Sequence, residues 1–212
     1  MAAKRSVRLI LHAALAVVLL ITFSSSAFAQ VQSPKDFIQS RANEISAVLA
    51  EPDSPKRTER LTGAVHRTVD FSELASRALG EHWVKRTDVE RQEFLDLLQR
   101  LLQANYSNQI EGRRLGKDYN IDFGEERIRD GRAVVRTNVT YNKKKHPVVY
   151  RLTQKKDAWV VYDIVIDDVS LEETYREGYT PIIEQDGWSG LIDLMKERLV
   201  ELEKPAKPTK KK

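Results

Sequence analysis

Residues 119–168 read YNIDFGEERIRDGRAVVRTNVTYNKKKHPVVYRLTQKKDAWVVYDIVIDD, and the fold turns on this stretch. Asp130-Gly131 is a hairpin dipeptide, because both central residues of a tight two-residue turn take positive φ. It joins two runs, Tyr119–Ile128 and Arg132–Tyr141. In the second run Ala133, Val135, Thr137, Val139 and Tyr141 share a face. Asn142–Lys145 is a polar turn. Val148, Tyr150 and Leu152 then alternate with Val149, Arg151 and Thr153, and Lys155-Lys156-Asp157 turns the chain again. Ala158–Asp168 carries Trp159, Val161, Asp163 and Val165 on one side and Val160, Tyr162, Ile164 and Ile166 on the other. Both sides are apolar, so alternation alone does not say which one meets the rest of the protein. This period of two predicts an antiparallel meander of about four strands.

On either side the period changes to that of helices. Ser33-Pro34 is a cap followed by a first-turn proline, and Phe37, Ile38, Ala42, Ile45, Val48 and Leu49 follow on one face. Pro52 and Pro55 end that helix. Ser54 caps a weaker one carrying Leu61, Val65 and Val69. Asp70-x-x-Glu73 and Thr87-x-x-Glu90 are capping boxes. The first precedes Phe71, Leu74, Ala75, Ala78 and Leu79, stopped by Gly80; the second opens the stripe Phe94, Leu97, Leu98, Leu101, Leu102 and Tyr106. Ser170-x-x-Glu173 starts a C-terminal helix with Leu171, Tyr175, Tyr179, Ile182 and Ile183 on one face. Pro181 is expected to kink or interrupt it. Gly187 then separates a last helix with Leu191, Ile192, Leu194, Met195 and Leu199. Helices, a meander and helices again make the class α+β.

The chain of 212 residues has 41% hydrophobic residues and no Cys. That apolar content supports a core in one domain. The lack of Cys excludes disulfides, thiolate metal sites and a cysteine nucleophile. Residues 1–29 read as a cleaved signal peptide: basic Lys4, Arg5 and Arg8, an apolar run Leu9–Phe23, and Ala27-Phe28-Ala29 as the cleavage site. The mature protein is therefore expected to be soluble and periplasmic. Residues 30–203 form the expected domain, and 204–212 a disordered lysine-rich tail. Three basic residues lie in the signal and five in the tail. That leaves 27 Lys+Arg against 31 Asp+Glu in between, a net charge of −4. The high pI of about 9.2 thus comes from the two ends. Nucleic-acid binding, which needs a basic folded face, is not expected.

Asp70-Phe71, Arg77-Ala78-Leu79-Gly80, Trp83, Arg91-Gln92, Phe94 and Tyr106 form one block of a pattern. Tyr150-Arg151-Leu152, Trp159, Tyr162-Asp163, Val169-Ser170-Leu171 and Tyr175-Arg176 form another, closed by Gly187, Leu191-Ile192 and Leu194. In order and spacing, over most of Pro34–Leu202, this resembles the MlaC family, the toluene-tolerance auxiliary component of ABC transporters. The resemblance implies a nuclear-transport-factor-2-like α+β fold. It also implies a periplasmic phospholipid carrier that shuttles lipid between an outer-membrane lipoprotein complex and the inner-membrane MCE-domain protein of an ABC transporter. On this reading phospholipid is cargo, there is no cofactor or metal, and outer-membrane lipid asymmetry is what the traffic maintains. Asp168 stands where the family's pattern carries Gly, and the lysine tail lies outside the pattern.

A carrier needs an apolar cavity rather than a catalytic constellation. The candidates are Trp83, Phe94, Leu98, Tyr106, Val135, Val139, Tyr150, Leu152, Trp159 and Val161, from the inward stripe of the long helix and one strand face. The competing reading of these residues is ordinary core. Arg151 and Arg176 are candidate contacts for a lipid phosphate, which suits a guanidinium fork; surface ion pairs are the alternative. Asp163 on an apolar strand is either a structural partner of Arg151, Arg176 or a backbone N–H, or the general base of a cavity-containing enzyme. A third reading is a ligand-free adaptor of the transporter. His66, His82 and His146 lack metal-ligand spacing, and Ser170 reads as a helix cap. No phosphate-binding G-x-x-x-x-G-K-[ST] loop occurs, so ATP hydrolysis would take place on another protein.

Overall fold

A computed structural model describes residues 32–52, 54–112, 119–141, 143–156 and 158–203, with the side chains of 105–112 excepted. The expected signal peptide and lysine tail lie outside the described residues. The elements in chain order are α1 (Pro34–Leu49), α2 (Pro55–Thr68), α3 (Phe71–Leu79), α4 (Glu81–Val84), α5 (Asp88–Gly112), β1 (Tyr119–Arg129), β2 (Arg132–Tyr141), β3 (Lys144–Lys155), β4 (Ala158–Ile166), β5 (Val169–Ser170) and α6 (Leu171–Glu203). The sheet is an antiparallel meander in the order β1-β2-β3-β4-β5. The class is α+β as read from the sequence, with one short strand, β5, beyond the expected four.

Side-chain caps fix where the helices begin. Ser33, Ser54, Asp70 and Ser170 accept from the backbone N–H of Asp36, Arg57, Glu73 and Glu173. At Thr87 and Glu90 the bonding is reciprocal: Thr87 N–H donates to the Glu90 carboxylate at 2.8 Å, and Glu90 N–H to Thr87 Oγ1 at 3.3 Å. Each cap satisfies a donor that the helix itself leaves free. Asp130 and Gly131 both take positive φ, the geometry of a type I′ turn. Asp167 and Asp168, at φ 49° and 65°, make the same turn between β4 and β5. Aspartate tolerates the left-handed region better than most residues, so Asp168 serves without a glycine; His146 Nδ1 lies 2.8 Å from the Asp167 carboxylate.

Two expectations are corrected. The backbone of α6 stays helical through Pro181, and the break falls at Gly187 alone, at φ 74° and ψ 178°. Proline fixes φ near the helical value, whereas that Gly187 conformation is open essentially to glycine only. On β4 the two faces exchange part-way. Leu152 pairs with Val161 but Arg151 pairs with Asp163, so Tyr162 is an extra residue, a β-bulge. Trp159 and Val161 face the helices before it and Ile164 after it; Ile166 continues that side of the sheet but is exposed. Asp163 and Val165 turn to the other side.

The core lies between the inner sheet face and α3, α5 and α6. Leu74, Phe94, Leu98, Val135, Leu152, Val161, Leu191 and Met195 are almost wholly enclosed. The segment between α2 and α3 is stitched to β4: Val69 bridges to Val161 in parallel, and Asp70 N–H donates to Val161 O at 2.8 Å. At the opposite edge Lys35 N–H donates to the Glu126 carboxylate at 2.5 Å, fastening the first turn of α1 to β1.

Candidate functional site

An apolar cavity of about 170 Å³ lies where α2, α5, β4 and the start of α6 converge. Leu61, Thr62, Val65 and His66 come from α2, and Val69 and Phe71 from the junction with α3. Gln99, Leu102 and Gln103 come from α5, Ile164 from β4 and Leu171 from the first turn of α6. Local sequence explains the wall. The spacing Leu61–Val65 puts one apolar stripe of α2 over the hollow. The bulge at Tyr162 turns Ile164 inward, and the Val69–Val161 bridge holds the lower rim of α2 against the sheet.

A second, half-polar cleft of about 360 Å³ adjoins it and shares His66, Val69, Phe71 and Gln99. Arg67, Asp70, Ser72 and Gln92 contribute its polar groups. Arg67 is paired with Glu44 on α1, and Lys155 holds Asp70 at 2.6 Å and Glu73 at 3.1 Å. His66 sits edge-on to Phe71, ring centres 5.4 Å apart, and desolvation holds its pKa below the ordinary 6.5. An apolar hollow opening beside polar groups has the shape to accept an amphiphile, tail inward.

The residues predicted for the pocket lie elsewhere in the same core. Trp83 and Phe94 stack edge-to-face at 5.8 Å, and Phe94 also meets Tyr179 and Trp188 at 6.0 and 5.5 Å. Burial raises the Tyr179 hydroxyl to about 12. Leu98, Val135, Leu152, Trp159 and Val161 are buried in the packed centre, and Val139 and Tyr150 are half-buried on the inner sheet face. Tyr106 lies on α5 among the side chains outside the described ones. None of the nine described residues lines the 170 Å³ cavity. Of the two arginines, Arg151 Nη1 donates to Asp163 at 3.0 Å on the outer sheet face. Arg176 pairs with Glu172 and donates to the Arg77 carbonyl at 3.1 Å. Neither lines the cavity or the cleft.

Asp163 has a structural task. Its carboxylate accepts from Arg151, from Ser170 Oγ at 2.8 Å and from Glu172 N–H at 3.0 Å. It thereby clamps the first turn of α6 to β4. Among the described residues no cluster of His, Asp and Glu could hold a metal ion.

Residues 39–197 match the family model described as MlaC protein. The chain belongs to the MlaC family. The fold places this MlaC chain beside a phospholipid-binding protein from Ralstonia solanacearum, solved in complex with a phospholipid. The two share 22% sequence identity and a TM-score of 0.74, over 81% of this chain and 99% of that one. At that identity the likeness is one of fold. Among curated proteins no sequence matches the chain. Among the described residues of this MlaC chain no helix is long and apolar enough to cross a membrane.

The cavity wall was partly hidden in the sequence. Leu61, Val65 and Val69 read only as the stripe of a weak helix, and Ile164 fell on the wrong side until the bulge moved it. Gln99 and Gln103, four residues apart beside the Leu98–Leu102 stripe, were the available signal, since amides there mark where a packed face ends.

Proposed function

We propose that this protein is an exported phospholipid carrier, cleaved after Ala29. It moves lipid between an outer-membrane lipoprotein complex and the MCE-domain protein of an inner-membrane ABC transporter, and so maintains outer-membrane asymmetry. The observation that carries the reading is the apolar hollow beside a polar cleft, in an MlaC chain whose fold is shared by a protein solved with phospholipid. Each methylene withdrawn from water gains about 0.8 kcal/mol. A membrane offers its chains nearly the same gain, so loading and unloading stay close to balance and the protein's task is to shield chains in transit.

Volume sets how loading begins. A hollow of about 150 Å³ in another protein holds a single benzene. A hollow of about 170 Å³ accepts the end of one acyl chain. Two full chains need several times that space, so α2 has to move outward. Continued insertion then leads along the inner sheet face toward Tyr150, Val139 and Leu152. Trp83, Phe94, Leu98, Val135, Trp159 and Val161 form the floor against which the chains come to rest. Arg176 stays the candidate for the phosphate, since Arg151 is held by Asp163 on the outer sheet face.

The test is native mass spectrometry of the mature protein from a bacterial periplasm, with lipid extraction and identification. The expected result is a stoichiometric phospholipid. A ligand-free mass, with no uptake from labelled vesicles even with transporter partners present, would overturn the carrier in favour of the adaptor.

A further inference from the structure

The outer face of the sheet, turned away from the helices, carries a charge opposite to that of the domain. The register places Arg127, Arg129, Arg132, Arg136, Lys145 and Arg151 on it, against Asp122, Glu125 and Asp163. Asp163 is buried beneath Arg151. Arg127 and Arg129 meet Glu125 and Asp130 at 2.7 and 3.2 Å, while among the described residues no acceptor meets Arg132 or Arg136. The chain between residues 30 and 203 is nevertheless net −4, so this cationic field is local. Arg127, Arg129 and Arg132 border a groove of about 600 Å³ into which the half-buried Val134 and Tyr162 face.

We propose that this face docks an acidic protein segment that presents an apolar side chain between carboxylates. An apolar centre ringed by charge is the anatomy of a protein interface. Five of the six cations are arginines, whose forks pair with carboxylates in two-point fashion. Val134 and Tyr162 are half-buried, and Arg77 reaches from α3 to lie 4.0 Å over the Tyr162 ring, so a flat bilayer surface meets the guanidinium groups first, whereas a side chain fits the groove.

The test measures binding of a fluorescein-labelled peptide of alternating glutamate and leucine by fluorescence anisotropy, to the full mature chain at low and high salt. Arg136→Glu is expected to weaken binding at least about fivefold, and Arg132→Glu with Arg136→Glu further. Lys85→Glu makes the same charge change just after α4, where Lys85 pairs with Glu81, and is expected to change affinity less than about twofold. Arg132 faces Arg129 across the hairpin, so its reversal creates a favourable pair and spares the fold. Rising salt is expected to abolish the difference between variants. No affinity in the parent chain, or equal losses in Arg136→Glu and Lys85→Glu, would overturn the proposal. So would Arg136-dependent binding to phosphatidylcholine vesicles with about 30% phosphatidylglycerol in place of the peptide.

Discussion

At Asp163 three donors converge on one enclosed carboxylate, from β3, β5 and α6. Asparagine keeps the shape but turns an N–H₂ toward groups that are themselves donors. Asp163→Asn is expected to cost about 2 kcal/mol, read as a lower urea midpoint. Phospholipid retained by the folded fraction should not change, because the carboxylate faces away from the cavity. Loss of retention with stability intact would contradict that placement. His66 gives the residue scale a pH dependence. Its native pKa lies below the usual 6.5, so the unfolded chain binds more protons across the interval between the two values. Stability is therefore fully present above 6.5 and falls as pH drops through the native value. The melting temperature of the parent chain should decline between about pH 7 and pH 5, and His66→Leu should flatten that slope. Parallel slopes would mean that other groups govern it.

Among the elements, α6 separates two residues that sequence reading treats alike as breakers. Gly187 has a backbone that alanine adopts only under strain, and an added Cβ would meet nothing within 4 Å, so the cost of Gly187→Ala is purely conformational. It is expected to lower stability by about 2 kcal/mol. Pro181 is exposed within continuous helix, and Pro181→Ala is expected to raise stability by about 1 kcal/mol by restoring a backbone donor. Thermal denaturation of the pair decides the matter by the signs of the two shifts. Capping residues made helix starts legible, because Ser, Thr and Asp act within three residues of their own position. The bulge in β4 was not legible. It depends on how Arg151 and Leu152 meet their partners on the next strand, and alternation within Ala158–Ile166 carries no trace of it.

Over the whole molecule, the predicted pocket residues and the observed cavity belong to one apolar interior, and the sequence does not divide them. Leu98 and Leu102 sit one turn apart on α5 and look equivalent; one is packed and the other borders the hollow. What distinguishes them is the space that α2 leaves unfilled, which is a property of the assembled chain. α1 is fastened to β1 and buries Phe37 and Ile38 in the core, whereas α2 is held to it by the exposed Arg67–Glu44 and Arg60–Glu51 pairs, so α2 is the piece that can swing. The protein has no cysteine, which makes introduced thiols specific. Thr62→Cys and Gln103→Cys, both bordering the cavity, joined by a short bis-maleimide, should stop uptake of labelled phospholipid from vesicles while the unlinked double variant still loads. Undiminished loading of the linked form would exclude α2 as the moving part.

The bulge at Tyr162 also bears on descent. Because β4 holds one residue more than strict alternation requires, losing Tyr162 would leave Trp159, Val161, Ile164 and Ile166 on their present face and straighten the strand. Loss of a codon earlier in the strand would invert whatever lies beyond it, pointing Ile164 outward and carrying Asp163 to the side of the apolar hollow. Tolerated insertions and deletions in this strand are thus expected to gather at Tyr162–Asp163. An alignment gap there should be read as a change of twist rather than a change of pocket.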